Sequence, residues 1–340
     1  MFSSALHPTG NTLQRLLGIS CLLIFIFFST KSMAMLCRNN VDNSALFQET
    51  LSKAAVPVSE PDGSLVWRSK IQKLTVRCWD DSWSYQTQGV YAYFNPDNAA
   101  IGDGVELGIN INGVAINDLS KAGQRLQIPG VIVPACNTES SWCQENAYVI
   151  FDLSYYISIR KRGNKSSGNY TGSDTLDFFQ LDGSGGLNMG QQNYRYRLSG
   201  LQNIRFIGCG ATVDVHPTVI DFGAIPIPAV TPAGTLIKSQ DFSIDVSRSC
   251  NDPFKLTALY TTTSTVNGQQ IEFNNMYLKL KEKLHDYYVD FSDLFDLTDF
   301  ADLSDLKKVT VPFSAELYWD GTQPTAGNYS VTVTVAIFYN

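Results

Sequence analysis

From Tyr329 onward the chain alternates with a period of two. Tyr329, Val331, Val333, Val335, Ile337 and Tyr339 fall on one parity, and Ser330, Thr332, Thr334, Ala336 and Phe338 on the other. Side chains of a β-strand point to opposite faces in turn, so this stretch presents an unbroken apolar row to a core. It carries neither charge nor proline, the usual means of blunting an open sheet edge. With Asn340 as the last residue given, no later local strand is expected to pair with this one. The expectation is an edge covered by another chain that adds a strand of its own.

Other residues place this strand in a pattern. Val311-Pro312-Phe313-Ser314-Ala315-Glu316-Leu317 is followed by Gly327, Tyr329 and a penultimate Tyr339. Upstream stand Cys209, the run Val219-Ile220-Asp221-Phe222-Gly223, and Cys250. In this order, over residues 209–340, the features resemble the pilin domains assembled by the chaperone–usher pathway. The resemblance implies an immunoglobulin-like sandwich lacking its last strand, which a periplasmic chaperone or the adjacent fimbrial subunit supplies during assembly at an outer-membrane usher. The implied donor-strand groove runs along Tyr329, Val331, Val333, Val335, Ile337 and Tyr339.

The beginning of the chain is consistent with export. Arg15 precedes an apolar run over 16–28, and Ser32-Met33-Ala34 supplies small residues before a cut, the pattern of a secretory signal peptide over 1–34. The run is short for a membrane span. Removing it takes away Arg15 and Lys31 and leaves 23 basic against 32 acidic side chains, a formal charge of -9. Such a chain is ill suited to nucleic acid. Cys37, Cys78, Cys136, Cys143, Cys209 and Cys250 remain, an even number that reads as disulfides. Six cysteines allow 15 connectivities; sequential pairing, Cys37–Cys78, Cys136–Cys143 and Cys209–Cys250, is the economical choice because it keeps each bridge inside one domain. No CxxC spacing or histidine companion suggests a metal, and no cofactor motif is present.

The length beyond residue 34 exceeds what one core usually serves. We expect an all-β chain of two immunoglobulin-like or jelly-roll sandwiches, an N-terminal domain over 35–207 and the pilin-like domain over 208–340. Val149, Phe151, Leu153, Tyr155, Ile157 and Ile159 alternate with more polar neighbours through residues 148–161, the pattern of a long half-buried strand. Further strands are expected at 64–78, 89–94, 105–111, 125–133 and 194–207, with turns at 95–98, 162–174 and 182–192.

Cys37 and Cys78 are 41 positions apart, close to the start of the receptor-binding domain in adhesins at the tips of type 1 fimbriae. This resemblance implies a sugar pocket at the N-terminus and the loop after the second cysteine, here Met35, Asp80 and Asp81. Mannose-specific adhesins of this kind begin with an aromatic residue, where this chain would begin with Met35. The residues themselves suit the chemistry: carboxylates accept hydroxyl hydrogen bonds and aromatic rings stack on a pyranose face. Trp79, Asp80, Asp81, Trp83 and Tyr85 offer both within one segment. A second candidate is the short loop from Cys136 to Cys143, with Asn137, Glu139 and Trp142 in a small covalent ring that lowers the ordering cost of binding. The same residues also read as core tryptophans and solvated turn acids, and both readings stay open.

Residues 290–307 repeat a triplet that begins with Asp, a period that suits neither strand nor straight helix. It reads as an expanded insertion at the edge of the pilin-like domain, partly helical or mobile. The 1, 3, 5 spacing of a calcium loop is absent. His216 and His285 lack a nucleophile or metal constellation, and a carboxylate pair such as Asp80 or Asp81 with Glu139 is the hydrolytic arrangement the sequence leaves open. Only Met35 and Leu36 precede the first cysteine after the signal, so the chain is expected to accept a strand and donate none. It would then end a head-to-tail fibre. The expectation is a non-enzymatic fimbrial tip adhesin at the bacterial surface that binds a host receptor, a glycan or glycoprotein. A tip or adaptor subunit that binds no sugar, or a secreted glycan-active enzyme, is the alternative.

Overall fold

The structure is a computed structural model and describes residues 35–80, 86–121, 123–165, 167–188, 190, 192–227, 232–300 and 307–340. The first half contains β1 (Met35–Asn39), β2 (Leu46–Thr50), β3 (Ala54–Pro57), β4 (Leu65–Arg68), β5 (Gln72–Asp80), β6 (Gln88–Phe94), β7 (Val105–Ile111), β8 (Val114–Ile116) and β9 (Arg125–Val133). After helix α1 (Ser140–Asn146) come β10 (Tyr148–Lys161), β11 (Gly168–Asn169), β12 (Leu176–Gly183), β13 (Arg195–Ser199) and β14 (Ile204–Ile207). The second half contains β15 (Ala211–His216), β16 (Leu236–Arg248), β17 (Lys255–Thr262), β18 (Thr265–Asn267), β19 (Gln270–Phe273) and β20 (Met276–Glu282). It closes with β21 (Tyr287–Tyr288), β22 (Phe295–Asp299), β23 (Lys308–Trp319) and β24 (Val333–Tyr339). The fold is all-β, as the alternation predicts.

In the first half, a sheet in the order β1-β5-β10-β7-β8, with β4 also on β10, faces a second in the order β2-β13-β12-β6-β9. The long strand β10 supplies Leu153, Tyr155, Ile157 and Ile159 to the core between them, the parity expected from sequence. The Tyr155 ring meets Phe179 and Tyr196 of the facing sheet edge-on at 5.0 and 5.1 Å. Such aromatic pairs add about 0.5–1.5 kcal/mol to area burial and favour one packing over others. Residues 64–78 form β4 and β5 along one edge of β10, interrupted at 69–71, where Ser69 Oγ accepts the Ile157 amide at 3.0 Å. The expected strand at 194–207 is broken by Gly200, whose φ of 77° and whose approach to the Leu51 carbonyl leave no room for a side chain. The chain therefore leaves β2 as β13 and joins β3 as β14.

The second half packs a sheet in the order β15-β16-β23-β20-β19-β18, with β21 on β20, against a three-stranded sheet in the order β22-β17-β24. Ile244, Val246, Leu280 and Phe313 meet Leu256, Ala258, Tyr260 and Phe295 in the core. The triplet segment is not an appended helix: residues 295–299 form β22, paired with β17, and Phe291, Phe295, Leu297 and Phe300 are buried. Strand pairing imposes its own period of two on Phe295 and Leu297 whatever the sequence period. Residues 301–306 of the repeat lie outside the described residues.

Disulfides join Cys37 to Cys78, Cys136 to Cys143 and Cys209 to Cys250. The expected signal peptide at 1–34 lies outside the described residues. Among those described, no helix is long and apolar enough to cross a membrane.

Phe313 is fully buried and stacks near Phe242, Tyr260 and Phe295. Phe313→Ala should destabilise the second half by about 3–5 kcal/mol, read as a lower midpoint in urea. A change below about 1 kcal/mol would show that this cluster does not hold the two sheets together.

Candidate functional site

Two regions stand out, one at the polar end of the first half and one along the open edge of the second. The first forms where β1 begins and where β5 and β12 end. The Cys37–Cys78 bond lies within the β1–β5 ladder, which sets Met35 opposite Asp80. Asn193 holds this end from the side: its amide donates to the Met35 carbonyl at 2.9 Å, and its Oδ1 accepts the Cys37 amide at 2.7 Å. Asp80 is buried and accepts a hydrogen bond from the Gln88 side chain.

At the end of β12, Asp182 is also fully buried. Its carboxylate accepts the Gly183 amide at 2.9 Å, the Gln180 side-chain amide at 2.8 Å and the Asn188 amide. Burial pushes the Asp182 carboxyl above its ordinary range, and these bonds only partly offset it. Gly183 packs beside the partner of Asp80: a Cβ there would stand 2.1 Å from Gln88 Oε1 and 3.3 Å from Met35 Cβ. Gln88 Oε1 and Gln180 Oε1 are buried with no donor among the described residues. The result is a cluster rich in acceptors, which suits hydroxyl or ammonium donors.

The sequence-derived site residues divide. Asp80 is in the cluster. Met35 borders it through its backbone, but its side chain is fully buried in the main core, so it offers a ligand no thioether surface. Trp79 corrects the expectation of a stacking ring: it is 3% exposed, packs on Leu36, Cys136, Cys143 and Ala147, and donates from Nε1 to Ser140 Oγ at 3.3 Å. That ring anchors the disulfide loop. Trp142, on α1 inside the same loop, is 52% exposed. Asp81, Trp83 and Tyr85 lie outside the described residues. Glu139 is exposed at the start of α1, whereas Asp80 is buried against Gln88.

Sequence reasoning missed Gln88, Gln180, Asp182, Asn188 and Asn193. A signal existed at Leu176–Gly183, where Asp177, Gln180 and Asp182 punctuate an otherwise apolar run of eight fully buried residues. Polar side chains in such a run need partners, which marks them for a polar cluster.

The second region is the edge of β24. One side pairs with β17, from Leu256↔Tyr339 to Thr262↔Val333, and no ladder is present on the other among the described residues. Val331, Val333, Val335 and Ile337 pack against the core yet remain partly exposed, as do Val213, Val215, Ile220 and Phe222 on and after β15, itself an edge strand. The two edges meet at Tyr339, whose hydroxyl accepts the Ala211 amide at 3.0 Å and donates to Glu60 at 3.0 Å. The regular strand is shorter than expected. It begins at Val333, because Tyr329 turns back through its hydroxyl onto Thr325 and is 44% exposed.

A cavity of about 490 Å³ opens elsewhere, at the β19–β20 turn. Its Asn274 and Asn275 amides are committed to the carbonyls of Thr325 and Gln323, so its wall is the frame of a loop.

No family model matches the chain. Among solved structures it is similar to the CupB6 tip adhesin from Pseudomonas aeruginosa, at 11% identity over 90% of this chain and 93% of that one, with a TM-score of 0.30. It is also similar to the CsuC–CsuE chaperone–tip adhesion subunit complex from the archaic chaperone–usher Csu pili of Acinetobacter baumannii, at 13% identity over 89% of this chain and 99% of that one, with a TM-score of 0.26. CfaE, the adhesive subunit of CFA/I fimbria of enterotoxigenic Escherichia coli, matches at 11% identity over 89% and 81% of the two chains, with a TM-score of 0.24. At TM-scores this low, both regions stand on their own geometry.

Asp182 gives a test by titration. A carboxyl raised by folding stabilises the fold below its unfolded value of 3.8, and this contribution is lost as pH rises through the higher folded value. The Tm of the unsubstituted chain minus that of Asp182→Asn should therefore fall as pH rises from about 4 to 7, measured by scanning calorimetry. A difference that stays flat or rises would contradict the burial of this acid.

Proposed function

We propose that this chain is the tip subunit of a chaperone–usher fimbria, an adhesin whose second half is completed by a strand from another protein. The observation that carries this is the unpaired, uncharged edge of β24 with its half-exposed row Val331, Val333, Val335 and Ile337. An extended segment with large apolar residues at alternate positions fits there, giving main-chain bonds to β24 and side chains to the core. A periplasmic chaperone supplies the segment first, and the adjacent fimbrial subunit replaces it at the outer-membrane usher. Six cysteines joined in three disulfides suit the oxidising route that such export requires.

The first half binds the host receptor, a glycan, at the polar cluster of Asp80, Gln88, Gln180 and Asp182. These groups are buried and hold that end of the sandwich as a fixed polar frame for the receptor, and the N-terminus left by signal cleavage adds an ammonium beside them. Asp81, Trp83 and Tyr85, which lie outside the described residues, and exposed Trp142 are further ligand contacts in this reading. The role is attachment without turnover.

Two experiments divide the halves of the proposal. A synthetic peptide of alternating large apolar residues should raise the Tm of the full chain, by an amount corresponding to about 2.7 kcal/mol at a hundredfold excess over Kd. Val333→Asp with Val335→Asp should abolish that rise and capture by the chaperone; normal capture would remove the groove from the proposal. Gln88→Leu should abolish retention of glycans on an array yet leave the peptide-induced rise intact. Retention unchanged by Gln88→Leu would move the receptor site away from the cluster.

A further inference from the structure

One cation borders the polar cluster without a carboxylate of its own. Arg125 lies on β9, beside Tyr93 of β6, and Tyr93 lies beside Gln180 of β12. Tyr91, two residues before Tyr93 on the same face, is the register partner of Asp182. The Arg125 guanidinium sits 4.6 Å from the centre of the Tyr91 ring and 5.6 Å from that of Tyr93. Its Nη1 donates to the Tyr93 hydroxyl at 2.9 Å and to the Ser184 carbonyl at 3.2 Å. The Tyr93 hydroxyl in turn donates to the Gly183 carbonyl at 2.6 Å, one residue from Asp182.

Arg125 is therefore exposed but held in place, by two rings and two hydrogen bonds. No ion pair links it to an acid among the described residues, although the chain carries seven more acidic than basic side chains. Nε and Nη2 have no hydrogen-bond partner among those residues either. A guanidinium can offer two parallel donors to a carboxylate or sulfate, and holding it beforehand lowers the ordering cost of that contact.

We propose that the ligand of this end is an anionic saccharide, whose carboxylate or sulfate is held at the surface by Arg125 beside the buried polar groups. This rests on the glycan reading above and narrows it to acidic sugars. Tyr91 and Tyr93 position the arginine, and Arg125 discriminates between charged and neutral ligands.

The test uses the full chain with its groove filled by the strand peptide, on an array of neutral oligosaccharides printed beside their sialylated and sulfated counterparts. Anionic members should bind about tenfold or more tightly than their neutral parents, and the preference should narrow as salt rises from about 0.05 to 0.3 M. Comparing sialylated with sulfated members shows which anion is taken. Arg125→Gln should remove the preference, lowering the anionic members to the level of their neutral parents. Arg125→Met, which keeps an apolar chain on Tyr91, serves if the first variant fails to fold. Equal binding of charged and neutral members, or a preference that survives both substitutions, overturns the acidic ligand and leaves the glycan reading standing. Binding to no sugar on the array overturns both.

Discussion

The ladder between β24 and β17 satisfies one edge of the last strand and leaves the other bare among the described residues. Backbone amides and carbonyls along such an edge need partners, and water or a further strand must provide them. Packing in the second half is graded accordingly. Phe313, Tyr260 and Phe295 form a dense aromatic cluster well inside, whereas the side chains along the open edge are mainly valines and isoleucines that remain partly exposed. β-Branched side chains have few rotamers, so a row of them keeps its shape when uncovered and can receive other side chains without much loss of entropy. Ile244 and Val246, inside the same core, are by contrast fully buried.

The first half meets a different constraint, the burial of polar groups. Asp80, Gln88, Gln180, Asp182 and Asn193 are all nearly or fully inaccessible at one end of a sandwich that is otherwise aromatic and aliphatic. An unpaired buried acceptor costs about 1–3 kcal/mol, so such a cluster persists only when its frame is stiff. Here the frame is covalent on one side, where Cys37–Cys78 ties β1 to β5 two residues from the Met35–Asp80 pair. On the other side Asn193 bonds the backbone of β1 at two points. The disulfide loop of Cys136 and Cys143 rests on Trp79, which brings exposed Trp142 to the same region of the surface without using Trp79 itself as a contact.

Much of this was legible in sequence where a single physical rule dominates. Two-residue alternation located β10 and most of β24, and the cysteine order suggested the three bridges. Sequence failed where tertiary context decides. Trp79 and Trp142 look alike in a sequence, and only the packing of a seven-residue helix on one of them separates anchor from exposed ring. The triplet repeat hid a strand because pairing with β17 selects Phe295 and Leu297 against the sequence period. The cluster residues Gln180 and Asp182 were passed over because β12, buried throughout, lacks the alternation that marks half-buried strands.

The open edge is also close to the junction of the two halves. Tyr339 pairs with Leu256 in the ladder, belongs to the second core, and links Ala211 to Glu60 of the first half through one hydroxyl. Phe338, on the opposite face of the strand, is 1% exposed, and β24 lies against β3 and β4. Ala55 and Ile207 contribute to the second core from the first-half side, so the junction is apolar at its centre and polar at its rim. A strand seated on the bare edge of β24 would lie about 5 Å from that strand's axis. Its backbone would restrain the one element that forms both the groove wall and the floor under the first half. Rigidity supplied at the groove is therefore rigidity supplied at the junction, because a single seven-residue strand serves both.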